Sequence, residues 1–335
     1  MTELEILAKL GKKTRERVLL ARDAQLERMP LASKGLTKYT GGGFAYGRLS
    51  GVWGNKSSGK SSMLLQSLGL AQQQGKVCAF IDAEKSFDKM WATRLGVDTD
   101  RLLVVNAGSF MQATDTSVEL IQAGIDIVVL DSISALLPQS FFEKDDVELK
   151  GLEGTRQIGS NARDLGNMIK LINYMNERTA YIMISQVRNK FLSNGAMHQH
   201  MGGFAWDHGM STTVKIMSSA REQEQKLGFV KDGNILLEVP IAREVLWTVD
   251  KNKLGPSFRN GRYDFFYAGD SIGIDNLGEI IDIGLNCGLV SKSGSWLEFN
   301  GISAQGKDKL RAKLEQDILM YEKLVKEVEQ FESIH

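Results

Sequence analysis

"GVWGNKSSGKSSMLL", residues 51–65, is the stretch whose reading decides the fold. Gly54, Gly59, Lys60 and Ser61 fit the spacing G-x-x-x-x-G-K-[ST]. The apolar run LSGVW enters it, and SSMLLQSLGLAQQQ leaves it with helical patterning. Between a strand and a helix, such glycines let successive backbone N–H groups face a phosphate, and the helix presents its positive end. The expected nucleotide cradle is Gly54, Ser57, Ser58, Gly59, Lys60, Ser61 and Ser62. Lys60 would reach the β and γ phosphates, and Ser61 would offer an oxygen to Mg²⁺.

Outward from this loop, the runs LSGVWG, VCAFID, LLVVN, IDIVVLD and AYIMISQ alternate with helical stretches at 61–74, 88–95, 111–123 and 159–178. Continuous apolar runs in βαβα order imply buried parallel strands and an α/β core. After Asn194 a loop rich in Gly, His and Met breaks the order. Then TVKIMSS, GNILLEVPI, VLWTVDKN and RYDFFYA continue the sheet, with antiparallel members expected. Residues 3–29 read as a helix ended by Pro30 and Gly41–Gly43. The tail 307–332 places Leu310, Leu314, Ile318, Tyr321, Val325 and Val328 at steps of three and four, one amphipathic helix. The expected organisation is an N-terminal helical polymerisation segment over 1–40, an α/β core with a mostly parallel central sheet over 41–268, and a small α/β domain over 269–335.

Two strand ends carry chemistry. IDIVVLDS ends in Asp131, a carboxylate suited to the magnesium shell. VCAFIDAE ends the neighbouring strand with Asp82 and Glu84. A carboxylate beside the γ phosphate can orient and deprotonate water, so Glu84 is the expected general base.

The totals exclude more than they assign. Lys plus Arg and Asp plus Glu cancel at 41 each among 335 residues, so any polyanion partner must be met by locally gathered basic groups. No apolar run reaches membrane-spanning length, and the first residues lack a signal-peptide pattern. Cys78 and Cys287 have no metal-ligand spacing and read as reduced buried thiols of a cytoplasmic protein. His198 and His200 form H-x-H without an evident third ligand.

The stretches GNKSSGKSS, FIDAEKSFDKMWATRLGVD, VVLDSISALLP, ISQVRNK, HMGGFA, DKNKLGPSF and GLVSKSGSW resemble the RecA recombinases, from about Gly42 to Lys307. The resemblance implies a RecA-like P-loop ATPase core and ATP with Mg²⁺ as cofactors. It implies that Glu84 activates water and that Gln186 senses the γ phosphate and relays its presence to the loop that follows. Asp88 and Trp91 match positions that hold adenine, Trp91 offering a stacking face. Lys251 and Lys253 match lysines that reach a neighbouring protomer's ATP, and Pro256 follows them at the same nucleotide interface. Taken alone, K-N-K reads as surface charge.

The resemblance also implies DNA contacts from two loops. The first, PQSFFEKDDVELKGLEGTRQIG, carries Arg156 near its end, with Arg163 just beyond. The second runs from Arg188 and Lys190 past Phe191 and Met197 to Gly202, Gly203 and Phe204. Apolar tips could slip between bases while basic groups follow the backbone. Lys292 and Lys307 match positions linked to duplex capture. The implied partners are single-stranded DNA, homologous duplex and further copies of the chain in a helical filament, with no membrane. Departures are Asp207-His208 in place of a basic–aromatic pair, Lys56 where an acidic residue is common, no obvious polymerisation strand beyond MPLASKG, and a charge-mixed tail. The expected activity is a DNA-dependent ATPase that pairs and exchanges homologous strands. The rivals are a ring helicase of the same fold and an ATP-dependent DNA-binding mediator that exchanges nothing.

Overall fold

The computed structural model describes residues 3–15, 18, 20, 26–141, 160–192, 195–218, 225–232, 235–269 and 272–331. One large sheet organises the chain. Its strand order is Gly273–Ile274, Arg259–Phe266, Ile235–Asn252, Thr212–Ser218, Arg48–Gly54, Ala180–Leu192, Ile127–Asp131, Cys78–Asp82 and Leu102–Asn106. Strands from Thr212–Ser218 through Leu102–Asn106 run parallel. Beyond Thr212–Ser218 the sheet turns antiparallel. The first strand after the second loop is therefore a parallel member, and the expected antiparallel set begins one strand later.

Apolar packing explains these strands. Ile127–Asp131 and Cys78–Asp82 are buried at every residue, because helices cover both faces. Leu102–Asn106 departs from the expected buried strand. It forms the sheet edge and leaves Leu103 48% and Val104 39% exposed. On one face, Met63, Leu64 and Leu68 of the helix Lys60–Gln73 pack against Val52, Val214, Val245, Trp247 and Phe265. Each such buried side chain contributes about 1.5–3 kcal/mol of transfer free energy. The other face packs the helices Phe110–Ala123, Ser160–Met175 and Gly203–Gly209 over Leu49, Trp53, Tyr181 and Met183. There a Cβ on Gly51 would lie 2.2 Å from Trp206 Cζ2, so glycine is what lets that helix sit against the strand.

GNILLEVPI and VLWTVDKN are one strand, Ile235–Asn252, and not two. Pro240 is accommodated because the pairing with Gln225–Asp232 slips between Lys226 and Leu227, where Pro240 and Ala242 are the successive partners. The second loop is also more ordered than expected. Ala180–Leu192 runs on into an antiparallel pair with Gly195–His200, Val187 facing His200.

The helix expected over 3–29 is replaced among the described residues by Glu3–Lys9 and Lys12–Arg15, parted at Gly11, whose freedom disfavours a continuous helix. Arg28–Met29 is a strand paired with Phe44–Ala45. Residues 34–39 form a helix capped by Ser33 Oγ, which accepts from Leu36 N at 2.9 Å. The C-terminal region holds the helix Asn276–Asn286, a sheet of Ser291–Ser293, Trp296–Phe299 and Ile302–Gln305, and two helices, Lys307–Gln316 and Ile318–Gln330. The single tail helix is thus broken at Asp317, whose side chain accepts from Met320 N at 3.1 Å. The break rotates the apolar face. Leu310, Leu314, Leu324 and Val328 are buried, while Ile318 is 66% exposed and Val325 is only partly covered. Cys78 is buried and Cys287 is half-buried.

Candidate functional site

The parallel strands end together. Gly54 is in register with Gln186, and Asp82 with Asp131. Ligands of open α/β sheets bind at such carboxyl ends. Gly54 adopts φ 157°, and a Cβ on it would lie 1.7 Å from Ile216 O. Gly59 has φ 92° and starts the helix Lys60–Gln73 without a side-chain cap. The first helical N–H groups therefore face the loop interior. Ser57 holds φ 58°, and Ser58 is buried.

Lys60 is 7% exposed, and its Nζ donates to Asn55 O at 2.6 Å and Gly54 O at 3.3 Å. Burial pulls this ammonium below its ordinary range, and Asp131 and Glu84 pull it back. Ser61 Oγ donates to Asp131 Oδ2. Burial pushes the Asp131 carboxyl up to about 6, the Ser61 hydrogen bond opposing and the Glu84 charge adding to the rise. A hydroxyl on a desolvated oxygen donor crowded by carboxylates is a donor set that suits a hard divalent cation, so Ser61 and Asp131 fit Mg²⁺.

Glu84 stands at the turn after Cys78–Asp82. Asp82 shapes that turn by accepting from Ser86 N at 3.1 Å and Phe87 N at 2.8 Å. Ala83 N and Glu84 N both donate to Asp131 O, at 2.7 and 3.3 Å. Glu84 Oε1 accepts from Ser132 Oγ at 2.6 Å and from Gln186 Nε2 at 2.7 Å. Gln186 is itself held by Ser134 Oγ, which accepts from its backbone N at 3.0 Å. Lys60, Ser61, Glu84, Asp131 and Gln186 are thus brought to one end of the sheet.

Trp91 and Ser62 join the same region, with Trp91 Nε1 donating to Ser62 Oγ at 3.2 Å. The Trp91 ring lies 6.4 Å from that of Phe265, and the Arg94 guanidinium is 5.8 Å from its centroid. Asp88 caps the helix Lys89–Arg94 by accepting from Trp91 N at 2.6 Å. That cap aims Trp91, whatever else the carboxylate does.

Lys251, Lys253 and Pro256 do not join this group. Lys251 pairs with Thr213, which pairs with Gly51. Lys253 N donates to Ser211 O, and Ser211 N to Leu49 O. Leu49 precedes Gly54 by five residues, so Lys253 sits about 16 Å back along the sheet from the phosphate loop. A register shift between Val249 and Lys251 reverses the side-chain alternation. Asp250 and Lys251 consequently share a face: Asp250 Oδ2 accepts from Trp53 Nε1 at 2.7 Å, and Lys251 Nζ donates to Asp207 O. Lys253 Nζ donates to His208 O at 2.9 Å. Both ammonium groups cover the carboxyl end of the helix Gly203–Gly209, where the helix dipole is negative. Pro256 lines a hollow with Thr37, Lys38 and Tyr39, away from the loop.

Of the expected DNA contacts, Arg156 lies outside the described residues. Arg188, Lys190 and Met197 lie on the paired strands Ala180–Leu192 and Gly195–His200. Arg163, Gly202, Gly203 and Phe204 border one groove of about 760 Å³ between the helices Ser160–Met175 and Gly203–Gly209. Phe204 is 79% exposed above it, its ring 4.1 Å from that of His208. Gly202 is needed for packing, since a Cβ there would lie 2.3 Å from Trp206 Cβ. Lys292 is exposed on Ser291–Ser293, whereas Lys307 is tied to Asp282.

Some neighbours escaped the sequence reading. Ser132 and Ser134 are visible only as polar residues after Asp131. His200 lies between Trp53 and Trp206, at 5.6 and 5.3 Å, and its Nε2 meets Asp207 Oδ1 at 2.9 Å. It ties the base of the second hairpin to the strand carrying the phosphate loop. Arg243 approaches Gly59, and no local motif marks it.

The RecA N-terminal domain matches residues 3–273, and the RecA C-terminal domain matches residues 278–331. The chain belongs to the RecA family. It is similar to Protein RecA of Desulfovibrio desulfuricans, 33% identical over 92% of this chain and 81% of the relative. It is also similar to Protein RecA of Nitratidesulfovibrio vulgaris, 36% identical over 86% and 77%, and of Fusobacterium nucleatum, 35% identical over 92% and 76%. The RecA-like fold, a large mostly parallel sheet with a small C-terminal α/β region, follows from both the family match and the topology. Among the described residues no helix is long and apolar enough to cross a membrane.

Proposed function

We propose that the chain is an ATP-dependent DNA recombinase. It assembles as a helical filament on single-stranded DNA, pairs that strand with homologous duplex and exchanges strands, hydrolysing ATP between protomers. The observation that carries this reading is the distance between the two halves of the site. Lys251 is level with Gly51 and Lys253 with Leu49, three and five residues back from Gly54 and two strands across, farther than a lysine side chain spans to the phosphate loop of its own protomer. If these cations act on a nucleotide, it is a neighbour's. A ligand held by two subunits is thermodynamically part of their interface, so ATP favours assembly and hydrolysis loosens it.

Within one protomer the roles follow from position. Backbone N–H groups from Gly54 to Ser62 receive phosphate oxygens, and Lys60 leaves the carbonyls of Gly54 and Asn55 for the β and γ phosphates. Ser61 and Asp131 would hold Mg²⁺, which would supply neutralisation of charge on the phosphate oxygens. Glu84 orients a water, whose oxygen bonds to the γ phosphorus as the bond to the β-phosphate oxygen breaks. The water proton passes to Glu84, and the electron pair leaves on ADP. Gln186 shifts from Glu84 to the γ phosphate and carries that change into the strand running to Leu192. Trp91 stacks on adenine. Arg163, Arg188, Lys190, Met197, Gly202 and Gly203 line the path of single-stranded DNA, and Lys292 and Lys307 meet duplex. The strand-exchange assay with homologous and heterologous duplex tests the reading. Joint molecules with homologous duplex alone support it. Closed rings, or DNA-stimulated ATPase without joint molecules, would replace it with a helicase or a mediator.

A further inference from the structure

Arg243 lies in the long strand Ile235–Asn252, opposite Phe265 on one side and Gln225 on the other. It shares a strand face with Val245, Trp247 and Val249, which are buried in the cluster under the helix Lys60–Gln73. Its side chain therefore points to the sheet face that carries this helix, at the phosphate-loop end. Its Nη2 is 3.7 Å from where a Cβ on Gly59 would stand. The guanidinium is near enough to Lys60 to oppose that ammonium's charge. Among the described residues no carboxylate pairs with Arg243, and its buried Nε has no hydrogen-bond partner.

Two cations that converge on a glycine-lined loop repel one another, and a desolvated guanidinium nitrogen without an acceptor is unfavourable. An anion with several oxygens relieves both. The position narrows the anion further. Arg243's cross-strand partner Phe265 neighbours Trp91, the adenine platform, at 6.4 Å between ring centroids. Gly59 is where the loop's backbone meets the helix start. Arg243 thus stands between the base side and the phosphate cradle, while Glu84 and Gln186 gather on the far strands.

We infer that Arg243 is a nucleotide-binding residue of the same protomer that grips the non-transferred phosphates shared by ATP and ADP. This rests on the nucleotide site proposed above and adds a cation to it. Because the contact is the same before and after hydrolysis, it sets affinity and leaves the chemical step alone. It also makes ADP slow to leave, which ties the long antiparallel strand to nucleotide release.

The test is calorimetric titration of the full chain with ADP and with a non-hydrolysable ATP analogue at fixed Mg²⁺, for wild type, Arg243→Ala, Arg243→Lys, Arg243→Gln and Lys60→Ala. Arg243→Ala and Arg243→Gln are expected to bind both nucleotides about tenfold more weakly, with Arg243→Lys between them and wild type. The ratio of ADP affinity to ATP-analogue affinity is expected to stay within about twofold of wild type in the three Arg243 variants. Unchanged affinity, or a loss confined to one of the two nucleotides, would overturn the inference. Arg243→Gln keeps length and polarity, so it serves where Arg243→Ala does not fold. Lys60→Ala separates the two failures: if it binds both nucleotides as wild type does, the phosphate-loop site itself is wrong. If it binds weakly while Arg243→Gln does not, only the role of Arg243 falls.

Discussion

Gln186 Nε2 donates to Glu84 Oε1 at 2.7 Å, across 102 residues of sequence. The same oxygen accepts from Ser132 Oγ at 2.6 Å. Two hydrogen bonds on this one oxygen fix the orientation of the carboxylate, whose other oxygen is the one to take a proton from water. The bond to Gln186 is the one that can be exchanged, because a γ phosphate offers the amide a more highly charged acceptor. Gln186 also begins the run to Leu192 that enters the hairpin with Gly195–His200. Under the proposed function, loss of this bond and movement of the hairpin would be one event.

Gln186→Ala should therefore uncouple the two. Nucleotide affinity is expected to stay within about threefold of wild type, since the amide makes one of many phosphate contacts. Stimulation of ATPase by single-stranded DNA should disappear, leaving the DNA-free rate. Turnover with and without a single-stranded oligonucleotide checks this, and full stimulation in the variant would refute the relay.

Glu84→Gln keeps the acceptor oxygen for Ser132 and removes the base. Turnover is expected to fall by about 10²–10⁴-fold, the usual contribution of a positioned general base. ATP binding should persist, and with it filament assembly on DNA, because neither needs the proton transfer. A single-turnover assay with light scattering on the same samples separates the two outcomes. Loss of binding together with turnover would give Glu84 a structural role instead.

The phosphate loop and Asp131 were legible because their chemistry forces local signals: glycine at positive φ, and an apolar run ending in a carboxylate. The features that were not legible depend on register. Arg243 meets Gly59 only because Ile235–Asn252 pairs with Thr212–Ser218, which pairs with Arg48–Gly54. His200 reaches Trp53 and Trp206 through the same kind of long-range assembly. Asp317 looked like an ordinary polar position on a helix face. In the structure its side chain caps the second helix by accepting from Met320 N, where the first helix ends. Lys251 and Lys253 were visible as charges, but the shift after Val249 that sends them to the helix Gly203–Gly209 was not.

A pH dependence should arise far from the nucleotide, at Glu279. This side chain is 1% exposed where the helix Asn276–Asn286 meets Ser33, whose Oγ donates to Glu279 Oε1 at 2.6 Å. Burial pushes its carboxyl up to about 7, with the hydrogen bond from Ser33 opposing. A carboxyl raised on folding stabilises the fold below its unfolded pKa, near 4.3. That contribution is lost as pH rises through the folded value. Stability relative to Glu279→Gln is expected to decline by on the order of 2–3 kcal/mol between pH 5 and pH 8. Urea midpoints at pH 5, 6, 7 and 8 for both proteins measure it, and parallel curves would remove Glu279 from the linkage.

The proposed sharing of the site between protomers makes the last prediction. Lys251→Ala leaves its own phosphate loop intact, and Lys60→Ala leaves Lys251 and Lys253 intact. Each variant alone should hydrolyse ATP at least about 10²-fold more slowly than wild type, since each removes a cation from every interface. Mixed filaments contain junctions where a Lys251→Ala protomer offers its intact loop to an intact Lys251 of a Lys60→Ala neighbour. Random mixing at equal amounts makes about one interface in four complete, so the mixture should recover about a quarter of wild-type turnover in the presence of single-stranded DNA. Recovery should vanish on dilution below the assembly threshold, because no protomer then has a neighbour. A mixture that stays as inactive as its parts, at concentrations where filaments are seen, would mean that the lysines do not act across the interface. Their hydrogen bonds to Asp207 and His208 would then be their whole role.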